Sequence, residues 1–188
     1  VMNQSRVIPA RLYATNLDLD KPVEMLLLRK IKNGVWKSLV KPGRRMKVGA
    51  RFEVSNKNKV ISGEVLSIES DGERIISLEG EQYLESIGVI PLPPYINEIN
   101  SDPERYQTVY SKEKGSIAAP TAGLHFTSEM IQRLQGNNVE TLFVTIHVGW
   151  DTFRPITGRL EKHKMHSEYW HVDKNSAERI RLAKDQGR

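Results

Sequence analysis

The chain has 188 residues, 38% hydrophobic and 27% charged, a balance that suits one ordinary water-soluble domain or two small ones. It has no cysteine, which excludes disulfide scaffolds, thiolate zinc sites and cysteine nucleophiles, and no apolar run approaches the roughly 18 residues of a membrane helix. The formal charge of +5 is uneven: Arg29 to Lys59 carries 11 of the 28 Lys and Arg residues against one acid, Glu53, and is +10 by itself.

In chain order, Arg6 to Ala14 reads as a strand that begins with no lead-in. From there to about Ile90 the pattern is apolar alternation broken by turns. Asn33-Gly34 separates Val23 to Ile31 from Val35 to Val40, and Asp71-Gly72 separates Val60 to Ile68 from Glu73 to Glu79. Both dipeptides suit the positive φ angles of tight hairpins. About six short strands predict a small barrel or sandwich. Pro91-Leu92-Pro93-Pro94-Tyr95 stiffens the chain and marks a domain boundary. Beyond it the pattern is mixed α and β. Asp102-Pro103-Glu104 starts a helix over Arg105 to Tyr110. Thr127 caps a second, Ser128 to Gln135, with Met130, Ile131 and Leu134 on its buried face. Val139 to Val148 is a strand with Leu142, Val144, Ile146 and Val148 on one face and Thr141, Phe143, Thr145 and His147 on the other. A last helix spans Ser176 to Gln186, capped by Asp173 or Asn175 and stopped by Gly187. No Met precedes Val1 and the chain stops just past that cap, so a longer polypeptide is expected.

The basic window, with Trp36 and Phe52 interleaved, has two readings. It suits a phosphate-rich partner, and it equally suits a lysine-rich sheet surface that resists edge pairing. All five histidines lie between His125 and His171, which marks the place where proton transfer can occur near neutral pH. His163-x-x-His166 with Glu168 lacks the four-residue His spacing of a helical zinc site, and no Gly-x-Ser-x-Gly elbow exists. Pro120 to Thr127 is a small, polar loop before a helix N-terminus, suited to an anion or to close approach of a ligand at Gly123. The loop His147 to Pro155 follows a strand end, where Asp151 or Glu168 can balance a cation and Trp150 and Phe153 can pack on it.

Several segments together resemble one family: Arg6-Val7-Ile8-Pro9-Ala10-Arg11-Leu12, Leu92-Pro93-Pro94-Tyr95-Ile96, Tyr106-Gln107-Thr108-Val109-Tyr110, Ala118 to Phe126, Val144-Thr145-Ile146-His147-Val148-Gly149, and His163-Lys164-Met165-His166-Ser167-Glu168-Tyr169. This looks like the S-adenosylmethionine:tRNA ribosyltransferase-isomerases of the queuosine pathway. The resemblance implies a multidomain α+β protein, a barrel-like α+β body (1–14 and 92–188) carrying an inserted small antiparallel β-barrel (15–91). It implies transfer of the ribosyl group of S-adenosylmethionine to 7-aminomethyl-7-deazaguanine at the tRNA wobble position, without a metal. Adenine and methionine leave, and epoxyqueuosine forms. A monomer in the cytoplasm, with tRNA as partner and no membrane, is expected. His125, His147, His163 and His166 are then candidates for proton transfer. Thr121, Gly123, Gly149, Thr152, Phe153 and Glu168 are candidates for holding the sulfonium donor, and Arg6, Arg11, Lys37, Lys41, Arg44, Arg45, Lys47 and Arg51 for holding RNA. The alternatives are a non-catalytic RNA-binding module and a metal-dependent hydrolase. Asn3-Gln4-Ser5 and Trp150-Asp151 depart from the family's usual residues, and its members are longer at both ends.

Overall fold

The computed structural model describes residues 1–93, 95–96, 102–153, 156, 159 and 165–188. The chain divides into two compact units, Ile8–Pro91 and a second made of Val1–Val7 with Leu92–Arg188. Of the barrel and the sandwich, the first unit is the barrel, closed in the order β3-β4-β5-β8-β7-β6. Its strands are β3 (Arg11–Asn16), β4 (Lys21–Lys32), β5 (Val35–Lys41), β6 (Arg51–Asn56), β7 (Lys59–Ile68) and β8 (Arg74–Ser77). All neighbours are antiparallel, and pairing of Thr15 with Glu53 and Asn16 with Phe52 closes the seam.

Alternation explains the inside. Leu12, Met25, Leu27, Phe52, Ile61, Val65 and Ile76 are fully buried, each contributing about 1.5–3 kcal/mol when buried completely. The long strands bend at register shifts, in β4 between Leu27 and Arg29 and in β7 between Val65 and Ser67, which lets a six-stranded sheet curl shut. At the two hairpin turns Gly34 (φ +66°) and Gly72 (φ +85°) take the positive φ, while Asn33 and Asp71 do not. A short helix, α1 (Leu84–Ile87), follows the last barrel strand.

In the second unit β1 (Met2–Asn3) runs parallel to β10 (Phe143–His147), which is antiparallel to β11 (Tyr169–His171). A separate pair joins β2 (Ser5–Val7) and β9 (Glu113–Ser116) in parallel. The helices are α2 (Ser128–Gly136) and α3 (Lys174–Asp185), capped by the side chains of Thr127 and Asp173. Mixed α+β is the fold class.

Four local expectations change. The run Arg6 to Ala14 is two strands, because Ile8-Pro9-Ala10 breaks the ladder and sends β2 and β3 into different units. The helix expected over Arg105 to Tyr110 is a single 3-10 turn, Pro103–Tyr106; Asp102 does accept from the Glu104 N–H, but the Gln107 side chain closes two 2.9 Å bonds on the buried backbone of Val7 and turns the chain extended. The strand expected over Val139 to Val148 is only Phe143–His147, and its buried residue is Thr145 while Ile146 is exposed. Finally, no residue of α2 is fully buried: Met130 is exposed, and Ile131 and Leu134 are half-buried.

Candidate functional site

Asn3 sets the end of β10. Its side chain donates to the Ile146 carbonyl and accepts from the Ile146 N–H, both at 2.9 Å, as an added rung of sheet would. The next residue, His147, is half-buried, and burial lowers its pKa below the usual histidine value, with Glu113 opposing the effect. Its ring stacks on Tyr169 of β11 at 5.3 Å and 21°. Its Nδ1 is sealed from solvent with no hydrogen-bond partner among the described residues.

The backbone after β10 is fastened from two directions. Ser116 accepts from the Val148 N–H at 2.9 Å, and the Ile117 and Ala118 N–H groups donate to the Val148 carbonyl. Glu168 then accepts from the Gly149 N–H at 3.0 Å, and the same oxygen lies 3.5 Å from His166 Nε2. The carboxylate therefore joins the segment after His147 to the segment that enters β11, and its first task is structural: an anion fixed by an N–H donor and a facing imidazole. Trp150 and Phe153 meet edge to face at 5.3 Å on the 3-10 turn Trp150–Phe153, with Thr152 between them.

His125 and Thr121 stand elsewhere in this unit. Both are exposed on the 3-10 turn Thr121–His125, and with Leu92, Arg105, Tyr106 and Leu124 they line a cleft of about 430 Å³. Among the described residues no hydrogen bond, ion pair or ring contact joins His125 to His147 or His166. Gly123 is buried in the same turn, where a Cβ would collide with the Tyr110 hydroxyl and lie 2.8 Å from the Thr108 methyl. The space its missing side chain leaves is taken by the protein itself and is not open to a ligand. Burial pushes the Tyr106 and Tyr110 phenols above their ordinary pKa. His163 lies outside the described residues. Among those described, no three His, Asp or Glu side chains are grouped to hold a metal ion.

The cations expected to meet RNA separate into two groups. Arg6 pairs with Glu104 and donates to Ser111 Oγ, and Arg11 lies 3.4 Å from Glu24. Lys37 meets Glu73 at 2.6 Å, a hydrogen bond that raises its pKa. Arg51 grips Asp18 through two nitrogens, at 2.9 and 3.2 Å, and Arg45 donates to the Pro22 carbonyl. Lys41, at the end of β5, and Arg44 and Lys47, on the β5–β6 connection, are exposed and have no side-chain partner among the described residues.

Three residues beside this candidate site were assigned no role by sequence reasoning: Asn3, Tyr169 and Gly115, whose missing Cβ leaves room for the His147 ring. A lone glycine in Lys114-Gly115-Ser116 is a bulge signal only where a strand is expected, and none was expected there.

The whole chain, residues 1–188, matches the family described as queuosine biosynthesis protein. A Clostridium kluyveri protein named S-adenosylmethionine:tRNA ribosyltransferase-isomerase is 48% identical over 192 residues, covering 100% of this chain and 56% of its own length. A Clostridioides difficile protein of the same name is 47% identical over 193 residues, with the same coverage. A crystal structure of an S-adenosylmethionine tRNA ribosyltransferase from Thermotoga maritima is 26% identical, covers 99% of this chain and 47% of that one, and has a TM-score of 0.37. The chain spans about half the length of the curated relatives it matches.

Proposed function

Because the chain belongs to the queuosine biosynthesis protein family, we propose that it moves the ribosyl group of S-adenosylmethionine onto the aminomethyl group of 7-aminomethyl-7-deazaguanine at the tRNA wobble position. Adenine and methionine are released, and the sugar is isomerised to the epoxycyclopentanediol of epoxyqueuosine. Relatives that cover the whole chain carry the name of this activity. The observation that carries the site is a half-buried His147 directly before a loop fastened by Glu168.

The carbon next to the sulfonium, C5′ of the ribose, is acidified by that charge, and a neutral base placed beside it starts the rearrangement that expels adenine. Burial keeps the His147 imidazole neutral at pH 7, the form that accepts a proton. In this reading His166, which faces Glu168, carries a proton back toward the leaving adenine, and His163 remains a candidate from the sequence. Gly149, Thr152 and Phe153 border the donor, with the rings of Trp150 and Phe153 offering faces to its sulfonium. Glu168 contributes mainly by holding Gly149 and His166. Thr121 and His125 contact polar parts of a substrate in the separate cleft. The barrel holds tRNA phosphates chiefly through Lys41, Arg44 and Lys47, which are exposed and have no side-chain partner among the described residues. The protein acts as a monomer in the cytoplasm.

Incubating the full-length protein with tRNA bearing the modified base and ribose-labelled S-adenosylmethionine tests the reading. Label enters the tRNA as adenine is released, and His147→Ala lowers adenine release by about 100-fold or more. Wild-type turnover in all four variants, His125→Ala, His147→Ala, His163→Ala and His166→Ala, refutes the assignment of the base. Salt-sensitive tRNA binding without any label transfer leaves only an RNA-binding module.

A further inference from the structure

One face of the His147 ring, at its Nε2 end, lies over an irregularity in the neighbouring sheet. The register of β2 and β9 slips between Arg6, opposite Lys114, and Val7, opposite Ser116, so Gly115 is the extra residue of a bulge. Its φ of +143° is open to glycine and strained for any residue with a Cβ. A Cβ at this position would lie 2.6 Å from Nε2 of His147 and 2.9 Å from both Cδ2 and Cε1. Conformation and space thus both demand glycine, and the demand on space is set by the His147 imidazole. The Tyr169 ring stacks on His147 at 5.3 Å, and Nδ1 is sealed. Nε2 is therefore the nitrogen left for chemistry, and a methyl group on residue 115 would enter its contact shell.

We propose that Gly115 and Tyr169 are positioning residues for the transfer reaction: the bulge leaves Nε2 of His147 free as the proton-accepting atom, and the Tyr169 ring fixes the plane in which it points. This rests on the reading of His147 as the base. The strands packed against β10 present few other ionisable groups to consider. They are Arg6 on β2, Glu113 and Lys114 on β9, and Tyr169 and His171 on β11, while β1 offers only Met2 and Asn3. Arg6 is already engaged by Glu104.

Diethylpyrocarbonate, which acylates a neutral accessible imidazole nitrogen, reports on the seat without reference to turnover. Peptide mass spectrometry of the treated protein should show His147 acylated in the wild type. Gly115→Ala, which displaces the ring toward water, should quicken this acylation and slow adenine release by the full-length protein, each by about tenfold or more. It should also move the acid limb of the kcat/KM profile to higher pH, because an imidazole pushed out toward water regains an ordinary pKa; a purely structural defect would leave that limb in place. Tyr169→Leu should shift the limb in the same direction, and Tyr169→Phe, which keeps the ring, should restore wild-type behaviour. If Gly115→Ala fails to fold by thermal melting, the Tyr169 pair decides. A folded Gly115→Ala with wild-type acylation and an unmoved limb overturns the proposal, as does Tyr169→Leu behaving like Tyr169→Phe. Wild-type turnover in His147→Ala defeats the base reading itself, and with it this inference, while the acylation rates still report whether the seat exists.

Discussion

His147 enters the fold with an energetic consequence that does not depend on catalysis. Burial makes its charged form costly, so its folded-state pKa lies below the ordinary 6.5. Between the two values the unfolded chain binds more protons than the folded one, and stability rises with pH across that interval. The contribution is complete above about 6.5 and is lost as pH falls from there through the lower folded value. Chemical denaturation from pH 8 to 5 should show the midpoint declining on the acid side, and His147→Asn should flatten that part of the curve. The carboxylates of Glu140 and Asp173, whose pKa values are lowered by hydrogen bonds to Arg179 and Ser176, lose their contribution only as pH falls from about 4.5 and 3.8, so the two windows separate. Equal slopes for wild type and His147→Asn would remove burial of this ring as the cause. At this scale the sequence was partly legible. A cluster of histidines within one quarter of the chain drew attention to the second unit, but nearness along the chain did not bring His125 into contact with His147 or His166. Gly115 and Tyr169 matter through what they touch across a sheet, which no local pattern encodes.

The helix α2 shows how little can hold an element of this size. None of its nine residues is fully buried and only Ile131 and Leu134 are half-buried, so its persistence leans on Thr127, whose hydroxyl accepts from the Met130 N–H at 3.2 Å, and on the cap at Asn137 and Asn138, the latter at φ +57°. A helix this short is marginal without tertiary support. Thr127→Ala should cost about 1 kcal/mol of local stability. Amide exchange should therefore quicken roughly fivefold across Ser128–Gly136 while the barrel strands keep their rates. Uniform quickening would mean that α2 is coupled to the rest. The cap itself was readable, because capping is a local matter of residue type. So were the barrel hairpins, where period-two alternation meets a glycine at the turn. The failures share a cause: Gln107 leaves the helical path to serve a backbone 100 positions away, and Ile8-Pro9-Ala10 ends a strand that apolar alternation alone would continue.

Across the whole molecule the charge pattern changes meaning once the chain folds. The +10 window from Arg29 to Lys59 recruits acids from outside itself: Asp18 to Arg51, Glu73 to Lys37 and Glu81 to Lys30. The more exposed of these pairs, Arg51 with Asp18, adds little stability, but all three consume cations that a phosphate backbone would otherwise meet. Linear charge therefore overstated the basic surface, and the sequence could not say which cations stay free, because their partners lie on neighbouring strands. Lys41, Arg44 and Lys47 are exposed and have no side-chain partner among the described residues, which makes them the proposed phosphate contacts. Each phosphate they neutralise releases counterions, so each contributes about 0.7–0.9 to the slope of log K against log salt. Neutralising all three, Lys41→Gln with Arg44→Gln and Lys47→Gln, should lower the salt slope of tRNA binding by about 2 to 3 and weaken binding to modified and unmodified tRNA alike. Lys37→Gln with Arg51→Gln should change the slope far less, since those side chains are already neutralised by Glu73 and Asp18. A triple variant with an unaltered slope, or a Lys37 and Arg51 double variant that matches it, would move the RNA contact away from the β5–β6 connection.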